Sequence, residues 1–279
     1  MILHGIKRGF FRDAEFTAWT SPDEISAGVA SGAWDLFVAP SQLAASLYNR
    51  GQGVRLLNVM TDGLLSVAAR DPDLSGVGAL KGRILSAPRE DDASSVLLRA
   101  LLALYDLDPK RDVSILYGAS PMESAQLLAT GRVDAIVLPE PVMTVLEEKT
   151  AKAEKPVIRA IDMRKAWSEK VGRSVSLPQA GLGVSRNFWE KYEGMARDAQ
   201  KSLADAADSA QKNPDLAGDD TASFFGLSAG TIAKSVSHMN LTGRRAVDAR
   251  ADLEAFYRAI LEDDPNIIGG GLPDQDFYL

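Results

Sequence analysis

The chain of 279 residues is 46% hydrophobic and 25% charged, with a net charge of −7, ordinary values for a globular protein long enough to form two domains. It contains no cysteine, which excludes disulfides, thiol nucleophiles, iron–sulfur clusters and cysteine zinc sites. With only His4 and His238 besides, a conventional transition-metal site is not expected. The acidic balance argues against nucleic acid, which needs a concentrated basic face, and no apolar run approaches the roughly 18 residues of a membrane-spanning helix.

The opening "MILHGIKRGFF" is not a secretory signal: it is too short, basic in its middle, and lacks a small-residue cleavage site. From Ser21 the chain reads "SPDEISAGVASGAWDLFVAPSQ", and from Ser120 it reads "SPMESAQLLATGRVDAIVLPEP". The two match without a gap at an offset of 99 positions, from 21 to 120, aligning Pro22 with Pro121, Gly32 with Gly131, Asp35 with Asp134 and Pro40 with Pro139. Two copies are too few for a solenoid and predict two similar lobes. In each copy Ser before Pro, with an acid two residues after the Pro, predicts a helix start. Gly32 and Gly131 close those helices. "DLFVAP" and "DAIVLP" are short apolar runs bounded by Asp and Pro, predicting strands buried on both faces, and a second helix follows each. Helix, strand, helix in alternation predicts a parallel sheet with helices on its faces.

Between the copies, strands are predicted at Val54–Val59 and Leu64–Ala69, with a turn at Thr61-Asp62-Gly63. A strand follows at Arg83–Ala87, then a helix capped near Ser94, then a strand in "DVSILY". Residues 150–175 carry helix signals, "LPQAGLGVSRNF" is extended, and from Trp189 onward the chain is mostly helical. "GLGVS" and "GGGLP" lack the spacing and context of a phosphate loop. "KSLADAADSAQK" reads as an amphipathic helix with a solvated face, and "GRR" at 243–245 as surface.

The stretch from Ser21 through Arg70 resembles the first lobe of ABC-transporter solute-binding proteins, in particular the nitrate/sulfonate/taurine and thiamine-precursor group. "LKGRILSAPRE", "DVSILYGASPMESAQLLATGRVDAIVLPEPVMT" and "LPQAGLGVS" are similar to the second lobe, and "FYRAILEDDPNIIGGGLPDQDFYL" to a tail seen in one branch. The resemblance implies an α/β type II periplasmic-binding-protein fold: two α/β lobes joined by a two-strand hinge, with "LLSVAAR" and "PQAGLGVS" as the crossings. It implies residues 1–68 and 185–279 in lobe one and 69–184 in lobe two. It also implies a monomer that captures a small-molecule solute between its lobes and docks an ABC permease, in a periplasmic or extracytoplasmic setting and with no cofactor. In that group a strand precedes the helix ending near "GFF"; here Met1 falls inside the helix, so the N-terminal strand is expected to be missing.

Ligands of open α/β sheets lie beyond the carboxyl ends of the strands, where helix N-termini offer unpaired N–H groups. That geometry selects Pro40, Ser41 and Gln42, Thr61 and Asp62, Asp92 and Ser94, Glu140 and Pro141, and Gln179 as ligand-binding candidates. Each has a plain structural alternative: Ser41 and Ser94 as N-caps, Asp62 as a turn former, Asp92 as a solvated acid, Glu140 as a complement to a helix dipole, and the prolines as backbone constraints. A free Glu140 carboxylate disfavours a small bare anion and suits a nitrogenous or zwitterionic solute, so a taurine-like or thiamine-precursor-like ligand is expected before nitrate. The alternatives are a biosynthetic enzyme on the same fold, of pyrimidine or menaquinone type, a solute sensor, or the effector domain of a regulator. No catalytic set of Ser, His and Asp is apparent in the sequence, so an enzyme is not expected.

Overall fold

The computed structural model describes residues 1–12, 14–172 and 176–279. They form two compact units: unit 1 comprises Met1–Asp62 and Leu177–Leu279, and unit 2 comprises Gly63–Ser176.

Unit 1 opens with α1 (Ile2–Lys7), α2 (Pro22–Ala30), β1 (Leu36–Pro40), α3 (Ser41–Asn49) and β2 (Val54–Thr61). The chain then enters unit 2 with β3 (Leu65–Ala69), β4 (Ile84–Ala87), α4 (Ala93–Leu104), β5 (Ser114–Tyr117), α5 (Pro121–Ala129), β6 (Ala135–Pro139), α6 (Val142–Thr150), β7 (Ile158–Asp162) and α7 (Met163–Val171). It returns to unit 1 with β8 (Ala180–Ser185), α8 (Arg186–Lys212), α9 (Pro214–Phe225), α10 (Ala229–Met239) and α11 (Arg250–Asp263). The duplicated sequence is duplicated structure, because α2 and β1 coincide with α5 and β6 at the repeat offset. Ser120 builds a capping box on α5, its side chain accepting from the Glu123 N–H while Glu123 accepts from the Ser120 N–H, so two orphan amides of the first turn are satisfied.

The strand arrangement differs from the parallel sheet expected. In unit 1 the order is β1-β8-β2, and β8 runs antiparallel to both neighbours. In unit 2 the order is β5-β4-β6-β3-β7; β4 is parallel to β5 and β6, whereas β3 runs antiparallel to β6 and β7. The strands of each alternating run do share a direction, but one strand from elsewhere in the chain is inserted against them. Local alternation carries no signal of that insertion. It also moves the boundaries from those expected at 68/69 and 184/185. All of β3 is laddered into unit 2 and all of β8 into unit 1, so the chain passes from unit to unit at Asp62/Gly63 and Ser176/Leu177. "LLSVAAR" and "PQAGLGVS" are therefore sheet strands.

Burial also separates the copies. β6 is buried along four of its five residues, as its apolar run predicts, but β1 alternates between buried and half-buried positions. β4 covers one edge of β6, and among the described residues no strand covers the matching edge of β1. The far edge of β2 is closed by the chain's own C-terminal region, through bridges from Thr61 to Leu241, Asn58 to Arg245 and Leu56 to Tyr278. In β8 the glycines are spacers. A Cβ on Gly183 would stand 2.3 Å from the ring of Phe37, so glycine lets the aromatic ring lie flat on the strand. The core of unit 1 gathers Leu57, Met60, Leu182, Val184, Ala196 and Leu203. That of unit 2 gathers Ala68, Ile136, Leu138, Met143 and Val157.

Candidate functional site

In unit 1 the directions of the strands bring six expected residues to one edge of the sheet. β1 and β2 both end where β8 begins: Pro40 and Thr61 each pair with Ala180. Gln179 fastens the two ends, donating its N–H to the Thr61 carbonyl at 3.1 Å and accepting from the Ser41 N–H at 2.9 Å. Ser41 is fully buried, its hydroxyl donates to the Pro178 carbonyl at 2.6 Å, and its own carbonyl accepts from the Tyr257 hydroxyl at 3.0 Å. Burial pushes the Tyr257 phenol well up, which keeps it a neutral donor. Asp62 lies 3.3 Å from Arg244, and Arg244 reaches Asp252 at 3.0 Å. The "GRR" arginine read as surface thus braces the turn.

The start of α3 stands out within this edge. Its N-cap is Pro40, and no side chain caps it, so its first turn lacks the acceptor that Asp92, Asp162, Ser185 and Ser228 supply to α4, α7, α8 and α10. Beside it Gln42 Oε1 and Thr61 Oγ1 are buried without a hydrogen-bond partner. Buried polar atoms in native proteins are nearly always satisfied, so this corner retains hydrogen-bonding capacity that the protein atoms do not use.

Unit 2 treats the equivalent corner in the opposite way. α6 follows Pro141 and also has no side chain capping it from the N-cap position, but Glu140 reaches into its first turn. Glu140 Oε2 accepts from the Thr144 N–H at 3.3 Å and from the Thr144 hydroxyl at 2.7 Å. Its Oε1 meets Arg159 Nη2 at 2.6 Å, as an ion pair and not an aligned hydrogen bond. Arg159 in turn donates to Ser66 Oγ at 2.9 Å and to Glu147 at 3.0 Å. The side chain of Glu140 is fully buried. This corrects the premise of a free carboxylate awaiting an amine: the carboxylate is already paired with Arg159, and the helix start it would complement is already filled. Asp92 is the cap of α4, accepting from the Ser94 N–H at 2.8 Å, so the cap expected near Ser94 lies two residues earlier. Asp92, Ser94, Glu140 and Pro141 follow the ends of the co-directional strands β4 and β6 and share one edge of the unit 2 sheet.

Two arginines of these edges, Arg159 and Arg164, escaped the sequence reading, and a third, Arg244, reads there only as surface. Arg159 had a signal, a cation inside the apolar run "VIRAID" of β7, which demands a buried partner. Arg164, in the first turn of α7, looks in sequence like any solvated helix residue. Among the described residues it makes no ion pair, and its Nε is buried without a partner. A groove of about 770 Å³ along α5 and the edge strand β5 holds none of the ten expected residues.

One cluster in unit 1 has the spatial order of a hydrolytic triad. His4 Nδ1 lies 2.6 Å from Asp220 Oδ2, and His4 Nε2 lies 3.0 Å from Ser209 Oγ. Asp220 also accepts two bonds from Arg8, each at 2.7 Å, and Lys7 donates to its carbonyl. Burial pushes the Asp220 carboxyl up, but the bonds from Arg8 and His4 together hold it below its ordinary value. His4 is wholly buried, so no substrate reaches its ring. The cluster is a strut tying α1 to α8 and α9. Among the described residues no group of three His, Asp or Glu residues could hold a metal ion.

The sequence pattern of the family described as "ABC transporter, phosphonate, periplasmic substrate-binding protein" matches residues 6–213. No curated protein matches the chain. Among solved structures, an ABC transporter protein from Parabacteroides distasonis superposes with a TM-score of 0.80 at 20% identity, covering 99% of this chain and 94% of the other. The periplasmic aliphatic sulphonate-binding protein SsuA from Escherichia coli gives 0.71 at 15% identity, covering 99% and 91%. The alkanesulfonate-binding protein SsuA from Xanthomonas axonopodis pv. citri, bound to MOPS, gives 0.67 at 16% identity, also covering 99% and 91%. At these identities the likeness is one of fold.

Proposed function

The chain belongs to the family of ABC-transporter phosphonate periplasmic substrate-binding proteins, and from that premise we propose that it binds a small organic solute bearing an oxyanion, a phosphonate or sulfonate, and delivers it to an ABC permease. The observation that carries the reading is the start of α3: a helix N-terminus without a capping side chain, flanked by the buried, unpartnered Gln42 and Thr61. Such a helix start presents N–H donors and partial positive charge, which suit an acceptor-rich oxyanion. A thiamine-precursor-like base loses its main support, because Glu140 is spent on Arg159 and Thr144. Gln42, Thr61 and Gln179 are the contacts this reading favours in unit 1, while Ser41, fully buried with its N–H, hydroxyl and carbonyl engaged, holds the helix start. Pro40 sets the helix start, and Asp62 braces the turn through Arg244. In unit 2 Asp92 and Ser94 serve as cap and capped residue, and Glu140 and Pro141 order the turn before α6. Periplasmic placement follows the family's description; among the described residues no helix is long and apolar enough to cross a membrane.

Calorimetric titration with methylphosphonate, ethanesulfonate, taurine, nitrate and a pyrimidine tests the reading. Saturable binding of the organic oxyanions is expected, with nitrate and the pyrimidine much weaker. Binding of the pyrimidine alone, or of nitrate alone, would defeat it.

A further inference from the structure

We infer that Arg164 forms an oxyanion-binding site on unit 2, where β7 ends and α7 begins. The side chain is laid in place by its neighbour. Its Cβ, Cγ and Cδ lie over Gly63, where an added Cβ would stand 2.6, 3.0 and 3.2 Å from them. Gly63 has a φ of +110°, so this position favours glycine twice over, for its backbone and for the arginine stem resting on it.

The charge of Arg164 is the one left over at this edge. Arg159, on the preceding strand β7, faces Glu140 at 2.6 Å and Glu147 at 3.0 Å. Asp162, the nearest acid in sequence, caps α7 by accepting from the Lys165 N–H at 3.1 Å and stands 3.7 Å from Lys165 Nζ. Arg164 has no such carboxylate among the described residues, and its buried Nε donates to nothing. A buried donor without an acceptor is costly. A guanidinium offers a planar fork of donors that matches two oxygens of a phosphonate, sulfonate or carboxylate. An oxyanion would satisfy both the charge and the Nε–H. Arg164, Gly63, Arg159 and Asp162 all lie in unit 2, so the α3 start in unit 1 can fail as a binding site while Arg164 still binds.

The test uses the full chain with methylphosphonate and ethanesulfonate, comparing wild type, Arg164→Gln, Arg164→Lys and Gln42→Ala by calorimetry, with thermal unfolding of each as a check on folding. Arg164→Gln is expected to weaken binding by on the order of 10- to 100-fold, the range of a charge-assisted bidentate contact. Arg164→Lys keeps the charge without the fork and falls between. In wild type, saturating methylphosphonate should slow phenylglyoxal labelling of Arg164, a readout that needs no variant. Unchanged affinity in Arg164→Gln, labelling indifferent to methylphosphonate, or absence of oxyanion binding in wild type would each overturn the site. Weakening by Gln42→Ala with Arg164→Gln unaffected would uphold the α3 reading and sink this one, and the converse would do the reverse.

Discussion

At the scale of single residues, the molecule commits to its fold acids that in sequence look like ligand or surface groups. Glu140 and Asp220 are both acids held by arginines. Glu140 sits at the edge where a ligand is expected and serves the fold; Asp220 sits on α9, bonded to Arg8 and His4 beside α1, and serves it too. The partners of Asp220 and Asp62 are invisible to a linear reading, because His4 and Asp220 are 216 positions apart and Arg244 and Asp62 are 182 apart. Asp220 carries a pH signature. Its carboxyl lies below the ordinary value in the folded chain, so its contribution is fully present above an unfolded value of about 3.9 and is lost as pH falls through the folded one. Asp220→Asn should cost about 2 kcal/mol at neutral pH, a figure reduced because Arg8 is 37% exposed. It should also flatten the decline of stability below about pH 4. Urea unfolding of both proteins from pH 7 to pH 3 measures this; parallel curves would show that Asp220 is not the titrating strut.

At the scale of elements, the repeat made much of the architecture legible. Ser-Pro with a following acid, an apolar run and a closing proline gave both copies of helix, strand and helix, and pointed to the ends of β1 and β6 as the edge to inspect. Strand order was not legible, since β8 and β3 enter each sheet from distant sequence and no local pattern records with whom a strand pairs. The pairings also create a difference between the copies. Asp35 accepts from Ser185 and Ser41 donates to Gln179 across the β1–β8 ladder, so the alternate residues Leu36 and Val38 turn their N–H groups to the side that no strand covers, where the Trp19 indole N–H donates to the Val38 carbonyl at 2.9 Å. The equivalent Val137 turns toward β4. The Val38 amide should therefore exchange with solvent faster than the Val137 amide, by at least tenfold, in hydrogen-exchange NMR of the native protein. Equal protection would mean that the β1 edge is covered.

At the scale of the whole molecule, the two units apply one plan with opposite outcomes. Each starts a helix after a proline at the end of a strand, where backbone donors gather. In unit 2 the protein fills that start with Glu140 and neutralises the charge with Arg159. In unit 1 it leaves the start of α3 without a capping side chain, beside buried polar atoms lacking partners. Sequence could nominate both helix starts; the buried contacts of Glu140 show that its side chain fills the one in unit 2. The most direct test is thermal unfolding of the intact chain with and without each candidate solute. A solute at about 100 times its dissociation constant adds roughly 2.7 kcal/mol of stability, which should raise the midpoint by about 5–10 °C in a protein of this size. Methylphosphonate or ethanesulfonate should produce that rise. A rise with a pyrimidine or a simple amine, and none with either oxyanion, would contradict the account.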